Sequence, residues 1–77
     1  MYPAVIKVSA VADYVLNIEF DNGEIRCLDM KPYLEFGVFS RLKNPDSFNQ
    51  VRVSFDTVEW ETGIDLAPEF VYNKSMP

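Results

Sequence analysis

The chain reads as an α+β domain, a small antiparallel sheet with short helices, and three stretches say so. Tyr14 to Asp29 alternates apolar and polar residues on both sides of Asn22-Gly23. Residues 30–49 lose that alternation and carry Pro32, Gly37 and Asn44-Pro45-Asp46, the punctuation of short helices. Gln50 to Trp60 returns to a period of two. Strands, then helical turns, then strands again belong to the α+β class rather than to a parallel α/β sheet.

Ala4 to Val11 is rich in β-branched residues and begins after Pro3, so it opens the sheet as a first strand. Ala12-Asp13 connects it to the hairpin. Asn22-Gly23 tolerates the positive φ values of a two-residue type I′ turn. That turn sets Phe20 opposite Ile25, Glu19 opposite Arg26 and Ile18 opposite Cys27. Leu16, Ile18, Phe20, Ile25 and Cys27 then form a core face, and Leu28 falls on the outer face opposite Asn17. A meander of three strands results.

Asp29 caps a short helix over Met30 to Phe36, closed by Gly37. Val38 to Leu42 adds one turn with Phe39 and Leu42 inward. Tyr33, Phe36 and Phe39 lie at near-helical spacing and read as packing. Asn44-Pro45-Asp46 combines a cap, a first-turn proline and an acid at the positive end of the helix dipole, so one more turn brings Phe48 onto the core. Val51, Val53 and Phe55 share a strand face, with a tight turn at Asp56-Thr57 before Val58 to Trp60. Trp60 reads as the plug of the core. Thr62-Gly63 bends the chain, Ile64 to Leu66 forms a brief strand, and Ala67-Pro68-Glu69 opens a last helix through Tyr72. Segments follow one another without a long linker, so residues 1–77 are one domain.

Hydrophobic residues make up 48% of the chain and charged ones 25%, the balance of a globular protein. A single cysteine, Cys27, forms no internal disulfide, and nothing in the N-terminal stretch reads as a signal peptide, so a reducing, cytoplasmic setting is expected. No run approaches the length of a membrane span. With no histidine, the usual general base and most zinc sites are missing. The three glycines do not form a phosphate loop. No catalytic residue, cofactor or metal site is assigned.

Twelve acids against seven bases give a net charge of −5, unsuited to a surface that must neutralise nucleic-acid phosphates. The excess gathers after residue 50, where Asp56, Glu59, Glu61, Asp65 and Glu69 face only Arg52 and Lys74. Such a face either keeps a small protein soluble or meets a basic partner. Glu59, Glu61, Asp65 and Glu69 are the candidate partner-binding residues, with an exposed sheet edge as a second means of contact. The expected function is therefore a non-enzymatic protein-interaction module whose partner is a small basic protein. The alternatives are a structural homodimer and a small enzyme using the same carboxylates, with or without a metal.

The order Pro3, Val5, Asp13-Tyr14, Leu16, Phe20, Asn22-Gly23-Glu24 and Asp29, continued by Phe39-Ser40-Arg41-Leu42, Phe48, Val51, Val53, Trp60, Gly63 to Glu69 and Tyr72, resembles the small bacterial domain-of-unknown-function 2442 family. Glu61 departs from that pattern, which has proline after the tryptophan. The resemblance implies a compact α+β domain of the bacterial cytoplasm and supplies no catalytic residues. It also implies an accessory, antitoxin-like role, because members are often encoded beside a small toxin-like protein and some are fused to helix-turn-helix domains. With 77 residues given over to this one domain, any DNA contact is expected to run through a partner.

Overall fold

The computed structural model describes residues 2–77. Strands β1 (Val5–Val11), β2 (Val15–Phe20) and β3 (Ile25–Asp29) form an antiparallel meander in the order β1-β2-β3. Two 3₁₀ segments follow, Lys31–Tyr33 and Gly37–Lys43, then helix α1 (Pro45–Phe48). A second antiparallel pair, β4 (Val51–Ser54) and β5 (Thr57–Trp60), precedes helix α2 (Pro68–Lys74). The α+β architecture of a three-stranded sheet, a two-stranded hairpin and short helices is the expected one.

The core lies between the inner face of the meander, the hairpin and α2. Its members include Leu16, Ile18, Phe20, Leu28, Met30, Leu42, Phe48, Val58, Trp60 and Val71, each almost fully withdrawn from solvent. A bulge at Ile6 lets β1 contribute. Val5 pairs with Phe20 but Lys7 with Glu19, so Ile6 has no cross-strand partner, and Val5 shares the inner face with Val8 and Ala10. Without that extra residue Val5 would fall on the outer face with Lys7.

The hairpin register differs by one residue from the expected one. Glu19 faces Ile25, Ile18 faces Arg26, Asn17 faces Cys27 and Leu16 faces Leu28. The connection uses three residues, Asp21-Asn22-Gly23. Phe20 N–H donates to the Glu24 carbonyl at 2.9 Å, and Gly23 N–H donates to the Phe20 carbonyl at 3.0 Å. Of the three, only Gly23 has positive φ, at 90°. This is the type I turn with a glycine bulge, which asks one residue for the left-handed region where a type I′ turn asks two. Asn22 Oδ1 accepts Glu24 N–H at 3.0 Å and so ties the asparagine into the loop. One residue of slip exchanges the faces of β3. Leu28 therefore enters the core while Ile25 and Cys27 are exposed, and Glu19 and Arg26 lie on opposite faces.

The middle segment keeps its expected caps but winds more tightly. Asp29 Oδ1 accepts Lys31 N–H at 3.0 Å, and Asn44 Oδ1 accepts Asp46 N–H at 2.9 Å. The first segment is a single 3₁₀ turn, Lys31–Tyr33, and the second, Gly37–Lys43, runs for seven residues with 3₁₀ rather than α winding. Leu42 and Phe48 are buried and Phe39 half-buried, as expected. Tyr33 packs edge-on against Phe70 with centroids 5.0 Å apart. Phe36 points outward and is exposed, because the residue before Gly37 is extended rather than helical.

Two sites hold non-glycine residues at positive φ: Asp13-Tyr14 at 63° and 62°, and Phe55-Asp56 at 48° and 71°. At the first, strain is repaid by contacts. The Tyr14 carbonyl accepts Met30 N–H, the Tyr14 hydroxyl donates to the Lys43 carbonyl, and its ring meets Phe48 edge-on at 5.2 Å. The second is the turn of the β4–β5 hairpin, one residue earlier than the expected Asp56-Thr57. That shift puts Phe55 in the turn instead of on the inward strand face, and it is 95% exposed.

Candidate partner-binding surface

The β4–β5 hairpin carries the acidic residues. Its register, Val51 with Trp60, Arg52 with Glu59, Val53 with Val58 and Ser54 with Thr57, is anchored from within. Trp60 is fully buried and its indole N–H donates to the Phe48 carbonyl at 2.8 Å. Thr57 is buried and its hydroxyl donates to the Leu66 carbonyl at 2.7 Å. With Val58 and Trp60 inward, Glu59 turns to the other face. The bend at Gly63, with Trp60 N–H donating to the Ile64 carbonyl at 2.7 Å, brings Asp65 alongside Glu59 as a single bridge.

Arg52, Glu59 and Asp65 therefore stand in one cross-strand row, with Glu61 beside it. Arg52 reaches Glu61 at 2.8 Å and Glu59 at 3.4 Å. One guanidinium among three carboxylates leaves two negative charges uncompensated in the group. The side chains of Arg52 and Glu61 are more than half exposed, so these ion pairs contribute little to stability and shape charge more than they hold the fold. The structure brings together three of the four expected residues. Glu69 is elsewhere: it is exposed in the first turn of α2, near the positive end of the helix dipole, and makes no ion pair among the described residues. One member of this surface is not evident from the sequence: the placement of Arg52 opposite Glu59 follows only once the hairpin turn is set at Phe55-Asp56.

A second polar cluster joins α2 to the meander. The Tyr72 hydroxyl donates to Glu24 Oε2 at 2.6 Å, Asn22 donates to the same oxygen at 2.8 Å, and Arg26 pairs with Glu24 Oε1 at 3.1 Å. The Arg26 guanidinium lies over the Tyr72 ring, 4.2 Å from its centroid, and donates to the Ser75 carbonyl at 3.0 Å. Its Nε is buried without a hydrogen-bond partner. Donation from Tyr72, then Asn22 and Arg26, lowers the Glu24 pKa from 4.5 to about 2. The bond to Glu24 raises the Tyr72 pKa in turn. Just beyond, Cys27 and Met76 exchange backbone hydrogen bonds of 2.7 and 2.8 Å, so the chain's last residues pair with the outer edge of β3. This cluster fastens the fold together, and its charges are spent internally.

Among the described residues no three His, Cys, Asp or Glu side chains converge in a way that could hold a metal ion, and no helix is long and apolar enough to cross a membrane. No curated protein and no solved structure matches the chain. One family model does, described as a protein of unknown function, DUF2442, and it matches residues 5–77, nearly the whole chain. The chain belongs to the DUF2442 family.

Proposed function

We propose that this protein is a non-enzymatic interaction module that binds a small basic protein through the β4–β5 face. The reading places it in the bacterial cytoplasm in an antitoxin-like role, acting on a partner protein rather than on nucleic acid or membrane. The observation that supports it is the row of Glu59 and Asp65 with Glu61 beside it, where Arg52 pairs with Glu59 and Glu61 and Asp65 has no ion pair among the described residues. A solvated acidic face of this kind speeds encounter with a cationic surface and repels phosphate.

Arg52 supplies a test with opposite signs. Glu59→Lys with Glu61→Lys reverses the face, while Arg52→Gln releases both carboxylates. Capture of host proteins on the tagged chain, followed by titration of the recovered partner at rising salt, reads both. The double reversal is expected to weaken binding and flatten its salt dependence, and Arg52→Gln to strengthen binding and steepen it. Equal affinities across the three proteins would overturn the reading.

A further inference from the structure

The tip of the β4–β5 hairpin presents a feature that neither the core nor the acidic row explains. Phe55 occupies the first central position of a type I′ turn at φ 48°, where glycine and asparagine are the comfortable residues. A bulky aromatic there costs conformational energy. At Asp13-Tyr14 the same cost is offset by a half-buried ring packed on Phe48 and by the two hydrogen bonds of Tyr14. Phe55 recovers little within the chain, being 95% exposed. Among the large exposed apolar side chains of the described residues it is the most accessible, the next being Met76 at 69%.

Phe55 also borders a shallow groove. Tyr2, Pro3 and Pro68 give it apolar lining, and Asp21 and Asp56 give it two carboxylates. Asp21 Oδ1 accepts Ala4 N–H at 3.1 Å, and neither carboxylate forms an ion pair among the described residues. The groove thus combines an aromatic ring, prolines and two carboxylates without an ion pair among the described residues, and no cationic side chain is among its described lining. An apolar partner would leave those carboxylates unanswered and an acidic one would be repelled. A cation on a flexible aliphatic stem suits this lining, since the aspartates and the Phe55 ring favour its charge and the prolines its stem.

We infer that the Phe55 tip and its groove dock an extended arginine- or lysine-bearing segment of a partner protein. This rests on the proposed preference for a basic partner and adds a second contact point, separate from the Glu59–Glu61 face.

The test is a titration of the ¹⁵N-labelled full chain with a blocked peptide of alternating arginine and glycine, and with its glutamate counterpart, at low salt. The arginine peptide is expected to shift the amides of Phe55, Asp56, Asp21 and Ala4, and the glutamate peptide to leave them in place. Phe55→Asn is expected to weaken arginine-peptide binding about tenfold, while Phe55→Trp retains it. Phe55→Asn is also expected to raise Tm, since asparagine tolerates the turn conformation; a merely structural role for Phe55 would lower it. Shifts confined to Glu59, Glu61 and Asp65 would overturn this inference and leave the basic-partner reading standing. Equal binding of the glutamate peptide, or Phe55 amide shifts that track protein concentration alone, would overturn it in favour of a non-ionic contact or a second copy of the chain. No shift at either surface at millimolar peptide would overturn both readings.

Discussion

The indole N–H of Trp60 donates to the backbone carbonyl of Phe48 across 2.8 Å, and their rings stand 5.9 Å apart at 41°. This one contact ties the β4–β5 hairpin to the end of α1 and fills the centre of the core. A 77-residue domain has a total stability on the order of 4–12 kcal/mol, and Trp→Ala in a core costs about 3–5 kcal/mol. Trp60→Ala should therefore remove a large share of that stability, and nearly all of it at the lower end of the range. Trp60→Phe should remain folded but lose about 1–3 kcal/mol, chiefly because the Phe48 carbonyl is left buried and unpaired. Urea denaturation followed by circular dichroism measures both.

Gly23 isolates a pure backbone cost. A Cβ built there meets nothing within 4 Å, while its φ of 90° is one that side chains disfavour. Gly23→Ala is expected to destabilise by about 1–2 kcal/mol with no packing change, and Gly23→Asn by clearly less. Equal losses for the two variants would show that something other than φ governs the turn.

Cys27 reports the register of the meander. In a two-residue hairpin it would face the core opposite Ile18; in the observed one it pairs with Asn17 on the outer face and is exposed. An aromatic disulfide reagent should titrate one thiol per chain without denaturant. A thiol that reacts only in urea would restore the alternative register.

The Glu24 cluster makes stability depend on pH in the acid range. Its folded pKa of about 2 lies below the ordinary 4.5, so the unfolded chain takes up the proton first as pH falls. The stabilisation is complete above about pH 4.5 and is lost progressively towards pH 2. Tyr72→Phe removes the principal donor. The Tm gap between wild type and Tyr72→Phe should be widest near neutral pH and should close on acidification through that window. A gap that stays constant down to pH 2 would mean that Tyr72 acts through packing alone.

Elements were legible in the sequence where each depended on its own residues. The caps at Asp29 and Asn44, the burial of Phe48 and Trp60 and the bend at Gly63 all follow from local chemistry or from sheer size. What escaped depended on choices between near-equal turns. Asn22-Gly23 satisfies a two-residue loop or the end of a three-residue one, and the decision rests with distant residues. Leu28 has a core to enter, and Arg26 finds Tyr72, 46 positions along the chain, to lie against. Phe55 was misplaced for a related reason. Alternation argues that a third apolar residue in Val51, Val53, Phe55 points inward, and no glycine marks the turn that instead carries it outward. The acidic site was visible as composition, but the row that makes it a surface needed the pairing of Arg52 with Glu59 and of Glu59 with Asp65.

Residues 72–76 bind to Glu24, just before β3, and to Arg26 and Cys27 within it, nearly fifty positions earlier in the chain. On the ribosome, the meander therefore emerges long before the segment that covers its outer edge. During that interval β3 offers unpaired backbone groups at Cys27 and an unclamped Arg26, the condition in which strands of neighbouring nascent chains join. Closure of the sheet edge is thus decided late: arrival of residues 72–76, rather than formation of the meander, converts an adhesive intermediate into a closed product.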